Sequence, residues 1–254
     1  MELFNNQSFL VALFIGLASG SIGAFIILRR MALVGDALSH VALPGIALAL
    51  SYQIDPFWGV LVFLLAAAFL IWWLEGRSRL STEAIVGLLF TASLAVGVLT
   101  IPDHEIIESL FGEFPLLPAT TLFMVLGSAS LMAVLSFVLA RKLLFVTVSP
   151  EVAKVSGVGR KYDLVLFLIF SVVVALGIKL VGTLLMGALT IIPASIAKNV
   201  SRSMSGYIIN ASIIGAFVAV VGVVLSRSIH IIPGPTIILF GAGLFLVSLI
   251  FARR

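Results

Sequence analysis

Long apolar runs separated by short polar breaks dominate this 254-residue chain. Nine runs lie near 8–28, 31–51, 56–74, 84–101, 119–140, 163–179, 184–197, 207–226 and 235–252. A helix crossing a bilayer needs about 20 residues, roughly 17–25. These runs are apolar all round, whereas membrane-barrel strands alternate in segments of about ten. The pattern therefore predicts an all-α membrane protein of about nine transmembrane helices in a single domain, 1–254. The count falls to eight if the first or seventh run is too short to span. As one helix, 163–197 would be about 50 Å long at about 1.5 Å per residue, too long for a hydrocarbon core of about 30 Å. Two helices joined by a tight turn near Lys179–Thr183 fit better. The second is short, carries Pro193, and reads as a broken or partial helix of the kind tolerated inside a protein-lined bundle.

Composition agrees: the chain is 61% hydrophobic and 10% charged, against about 25% charged in a soluble domain. Cysteine is absent, which excludes disulfides and thiolate metal sites. The net charge of +4 is concentrated in alternate connections. Arg29 and Arg30, Arg77 and Arg79, Arg141 to Lys161, Lys198 and Arg202, and Arg253 and Arg254 mark every second break. Basic connections face the cytoplasm. Nine spans then place the N-terminus outside and the C-terminus inside; Arg227, near an outer end, runs against this scheme. The basic residues flank apolar runs and form no basic domain, so nucleic-acid binding is not expected. No basic leader precedes the first run, so it reads as a span rather than a cleaved signal. No G-x-x-x-x-G-K-[ST] run occurs; if ATP drives the protein, another subunit hydrolyses it.

Within the second run stand Asp36 and His40. A spacing of four puts both on one helical face. A charged residue at a bilayer centre costs roughly 2.5–3.5 kcal/mol on insertion scales and usually faces a bundle interior or a pathway. A carboxylate and an imidazole together suit zinc or manganese. Pro44 removes the bond to the His40 carbonyl, and Gly35 and Gly45 let neighbouring helices come close. Two or three ligands, rather than four, suit a transit site that must release its ion. A protonated imidazole is no ligand, and with an unperturbed pKa of about 6.5 this predicts weaker uptake in mild acid. An Asp–His hydrogen bond that only locks the helices is the competing reading. Ser39 is a candidate supporting donor, although a serine in a span commonly bonds its own backbone.

Two further segments carry signals. In 147–158, Ser149 fits an N-cap, Pro150 the first helical position, Glu151 the positive helix end and Gly157 a stop. This predicts a short cytoplasmic helix able to take force from a partner subunit; a capped surface turn is the alternative. The segment Pro102–Pro118 holds Asp103, Glu105, Glu108 and Glu113 without Lys or Arg and reads as external. It would attract cations or dock a partner, or else be a plain solvated loop. His104 lies among these acidic residues and shares both readings, whereas His230, before Pro233-Gly234-Pro235, reads as structural rather than as a ligand.

Together these residues resemble the membrane permeases of bacterial ABC importers for zinc and manganese, some of which handle iron. The resemblance covers Arg29-Arg30-Met31, Val34-Gly35-Asp36-Ala37-Leu38-Ser39-His40, Pro44-Gly45, Leu110-Phe111-Gly112 and Ser149-Pro150-Glu151 with Ala153 and Gly157. It continues through Lys179-Leu180-Val181-Gly182, Ile192-Pro193-Ala194 and Gly234-Pro235-Thr236. It implies a fold similar to cobalamin and siderophore ABC importers, a permease homodimer in the bacterial cytoplasmic membrane, cytoplasmic ATP-binding subunits, and an extracytoplasmic metal-binding protein. It implies Asp36 and His40 as contacts of the passing zinc or manganese, with no permanently bound cofactor. Ser149–Val158 is implied as the helix that couples to the ATPase, in residues 147–158, and Asp103, Glu105, Glu108 and Glu113 would lie where the binding protein docks. A secondary carrier or channel using Asp36 and His40 as a proton relay is the alternative; it has no need of a coupling helix.

Overall fold

Small residues decide which helices meet. In the computed structural model, which describes residues 2–100, 117–155, 159–183 and 185–252, the helix α1 (Glu2–Leu28) crosses α10 (Met204–Ile229) where Gly16 meets Gly215. A Cβ on Gly16 would stand 2.5 Å from the Gly215 carbonyl oxygen, so only glycine permits this crossing. Between them run α2 (Ala32–Ser51), α3 (Pro56–Glu75), α4 (Thr82–Thr100), α5 (Ala119–Val138), α6 (Ala140–Val148), α7 (Pro150–Val155), α8 (Gly159–Val181) and α9 (Met186–Val200). The helix α11 (Pro233–Ser248) and a 3₁₀ turn (Leu249–Phe251) follow α10.

A described helix lies over each of the nine apolar runs, and seven of these are long and apolar enough to cross a bilayer. The expected turn is present: α8 ends at Val181, and Gly182 takes φ 80° before α9 begins. At 15 residues, α9 is about 22 Å long. It packs on α1, α2, α10 and α11, so protein rather than lipid surrounds the short piece.

The helices form two layers. The inner helices α1, α2, α8 and α9 bury Ile15, Ile22, Phe25, Leu38, Phe167, Phe170 and Leu189 against one another. The outer helices α3, α4, α5 and α11 leave Trp58, Phe69, Leu88, Phe123 and Leu239 exposed, as an apolar solvent allows. Hydroxyls tie helices together where hydrocarbon offers no other partner: Ser171 Oγ donates to the Leu64 carbonyl at 3.0 Å, and Ser212 Oγ to that of Leu17 at 2.9 Å.

Among the described residues, the basic breaks gather at one end. Arg29 of the α1–α2 turn meets Glu75 at the end of α3 and Asp163 near the start of α8. At the other end, Arg227 donates to Ser8 Oγ at 2.8 Å and lies over the Phe9 ring. That pairing accounts for a cation at the wrong end of the charge pattern.

One boundary differs from expectation. The fifth apolar run extends to 140, but the helix breaks at Leu139, and α6 sets off as a separate nine-residue piece. Arg141 and Lys142 are exposed there while Leu143 and Val146 are buried, so the chain turns where its cations leave the apolar zone.

Candidate functional site

Asp36 and His40 are carried by α2, which runs unbroken through Pro44. Proline has no N–H, so the His40 carbonyl lacks its intrahelical donor. The two side chains share a face, with His40 Nε2 4.0 Å from Asp36 Oδ1. That is too long for a hydrogen bond, which argues against a simple Asp–His lock. It is slightly wider than the roughly 3.3–3.6 Å between two tetrahedral ligands with bonds of about 2.0–2.2 Å, so a shared ion would open the ligand angle or draw the two side chains together.

Their surroundings differ. The Asp36 side chain is 50% exposed, while that of His40 is 11% exposed. His40 packs edge-on against Phe90 of α4, with ring centres 5.3 Å apart, and its buried Nδ1 has no hydrogen-bond partner among the described residues. Asp36 opens into a cavity of about 320 Å³ between α2 and α4, lined also by Arg30, Glu83, Val86 and Phe90. Among the described residues, no group of three or more His, Asp or Glu gathers tightly enough to hold a metal. The described residues thus set two side chains of metal-compatible type, Asp36 and His40, beside an open cavity.

Backbone packing sets the position of the pair. Gly187 of α9 lies against Asp36 so closely that a Cβ there would be 2.7 Å from the Asp36 nitrogen. Gly35 faces the same contact, and Gly45 meets Gly59 of α3, as the expected close approaches of α2 require. Ser39 is fully buried, and its hydroxyl donates to the Asp36 carbonyl at 2.7 Å and the Gly35 carbonyl at 3.2 Å.

Ser149 directly precedes α7, and its carbonyl accepts from the Ala153 N–H at 3.0 Å. Pro150 and Glu151 open α7, and Ala153 is buried against Gly159 at the start of α8. Gly157 lies outside the described residues, as do Asp103, His104, Glu105, Glu108 and Glu113. His230 ends α10 in the left-handed conformation, φ 57°.

The ABC 3 transport family matches residues 1–252. The chain belongs to that family. It is 32% identical to the manganese import system permease protein ScaB of Streptococcus parasanguinis, over 99% of this chain and 91% of that one. It is 30% identical to the high-affinity zinc uptake system membrane protein ZnuB of Haemophilus influenzae, over 96% of each. The solved PsaBC complex of Streptococcus pneumoniae contains a chain that superposes with a TM-score of 0.83 at 31% identity, covering 96% of this chain and 90% of that one. An inward-facing metal-chelate type ABC transporter shares the fold, with a TM-score of 0.75 at 21% identity over 95% of this chain and 85% of the other. With its apolar spans, this family member is a multi-pass cell-membrane protein.

Arg29 does more than mark topology: its side chain, 12% exposed, sits beside Asp163 and Glu75, partners remote in sequence that no local pattern announces.

Proposed function

We propose that this chain is the permease subunit of an ATP-driven importer that carries a divalent transition metal, manganese or zinc, into the cytoplasm. The observation that carries the reading is the pair on α2: two metal-compatible ligands 4.0 Å apart, one of them open to a cavity, inside a membrane span. Relatives named as manganese and zinc permeases support the cargo class.

The permease works as a homodimer. A half-exposed carboxylate facing lipid is costly, and two side-chain ligands do not complete the shell of zinc or manganese. A second copy across the α2–α4 face shields Asp36 and adds ligands. Ion binding there is brief, as conduction requires. His40 Nε2, on the face it shares with Asp36, is the imidazole atom that meets the cargo. Ser39 supports the turn that carries Asp36 through its bond to the Asp36 carbonyl.

ATP hydrolysis belongs to a separate cytoplasmic subunit, which engages the segment 147–158 with Ser149, Pro150, Glu151, Ala153 and Gly157. An extracytoplasmic metal-binding protein delivers the ion at the acidic segment holding Asp103, Glu105, Glu108 and Glu113. The test is uptake of zinc, manganese and iron into vesicles containing the permease with its ATPase and binding protein. Uptake should require hydrolysable ATP. Uptake that continues without it contradicts the reading in favour of an unaided carrier.

A further inference from the structure

Among the described residues, the basic end shields Arg29 while its other cations are exposed. The Arg29 side chain is 12% exposed, and its Nη2 lies 2.6 Å from Asp163 Oδ1, itself 9% exposed. The same nitrogen is 4.0 Å from Glu75 Oε1, and the guanidinium sits 5.5 Å from the Phe167 ring centre. Glu75 Oε1 in turn accepts from Thr82 Oγ1 at 2.7 Å. Taking such a set out of water is expensive, and apolar replacements often do as well for stability. Its cost therefore favours a role other than holding the fold.

The partners sit at informative places. Asp163 lies near the start of α8, the helix that follows α7. Arg29 ends α1, and the chain then reverses through Arg30, φ 60°, into α2 with Asp36. Glu75 closes α3 and, through Thr82, holds the start of α4, whose Glu83, Val86 and Phe90 line the Asp36 cavity. A second tie supports the first: Trp72 Nε1 of α3 donates to the Arg160 carbonyl of α8 at 2.8 Å, and the Arg160 guanidinium stacks on that indole at 4.7 Å. The start of α8 is thus fastened to the roots of α2, α3 and α4, and the fastening with charge at its centre is Arg29.

We propose that Arg29 is the transmission residue of the transport cycle, passing displacement of α7 and α8 through Asp163 and Glu75 to both walls of the Asp36 cavity. The inference rests on the permease reading. It needs Nη2 held 2.6 Å from Asp163 and facing Glu75 by a planar guanidinium seated on the Phe167 ring, and a lysine ammonium lacks that planar seat. Arg29 acts through other groups and does not touch the ion.

Arg29→Lys keeps the charge, and Glu75→Gln keeps the shape of the second partner. Each variant is assembled with ATPase and binding protein in vesicles. Three quantities are read: membrane level with melting temperature, manganese binding to the permease, and manganese moved per ATP hydrolysed. The first two should match wild type. The third should fall at least about fivefold, the lower edge of the roughly 5–150-fold range typical of coupled sites, and combining the changes should add little. Wild-type transport per ATP in both variants overturns the proposal. So does parallel loss of folding and manganese binding, which makes Arg29 a structural clamp only. A wild-type complex that moves no metal on ATP hydrolysis overturns the permease reading, and the transmission role falls with it; a loss confined to the variants bears on Arg29 alone.

Discussion

Gly187→Ala tests how the bundle places Asp36. The added Cβ would stand 2.7 Å from the Asp36 nitrogen, 2.8 Å from its Cα and 3.1 Å from its Cβ. Ordinary contact begins near 3.4 Å, so α2 and α9 must separate by roughly 0.7 Å. The obstructing atoms are mainly backbone and cannot rotate aside. Overpacking of this kind costs typically 1–3 kcal/mol. Metal–ligand distances tolerate only about ±0.2 Å, so the shift would carry Asp36 out of register with the proposed metal coordination. Gly35→Ala is milder, because its Cβ would meet Gly187 Cα and Phe170 Cζ at 3.4 Å. Gly243→Ala is the control, with nothing within 4 Å. Manganese and zinc uptake at matched membrane levels, with melting temperature in detergent, should rank Gly187→Ala well below Gly35→Ala, and Gly35→Ala near Gly243→Ala. Normal uptake and melting for Gly187→Ala would refute the claim that this contact positions Asp36.

Other substitutions probe separate links. Gly45→Ala drives a Cβ to 2.5 Å from the Gly59 carbonyl oxygen; it should lower melting temperature and membrane level by opening the α2–α3 crossing, and unchanged melting contradicts that packing. Ser39→Ala should keep metal affinity within about twofold, because the hydroxyl donates only along its own helix in the structure; a 10–100-fold loss, the usual effect of removing a ligand's support, would show that it orients the ion's contacts. His230→Gly relieves a left-handed residue worth about 1 kcal/mol or more; melting should rise with uptake unchanged, and lost uptake would place the imidazole on the route.

Much of this architecture follows from local pattern. Span length and hydropathy are properties of single segments, so the nine helical positions and the turn at Gly182 are readable directly. The Asp36/His40 face is readable too, since a spacing of four within one helix needs no tertiary knowledge. The break at Leu139 is less visible, because Ala140 continues the apolar run and the exposed Arg141–Lys142 pair reads only as a loop charge. Arg29, Asp163 and Glu75 show the deeper limit. Each looks like a charge at a helix end, and only the packing of α1, α3 and α8 brings them out of water together. Arg227 is similar: its outlying position is explained by Ser8 and Phe9, at the far end of the chain. The unequal exposure of Asp36 and His40 likewise depends on where α4 lies.

The central claim is that cargo metal passes between Asp36 and His40. Its most direct test is metal accumulation in cells lacking their own uptake systems, with the chain expressed beside its ATPase and binding protein. Zinc, manganese and iron are measured together for wild type and for Asp36→Ala with His40→Ala at matched membrane levels. The account predicts selective loss of one transition metal in the double variant, with the permease still inserted and folded. Unchanged accumulation of all three would contradict it and leave the pair a feature of helix packing.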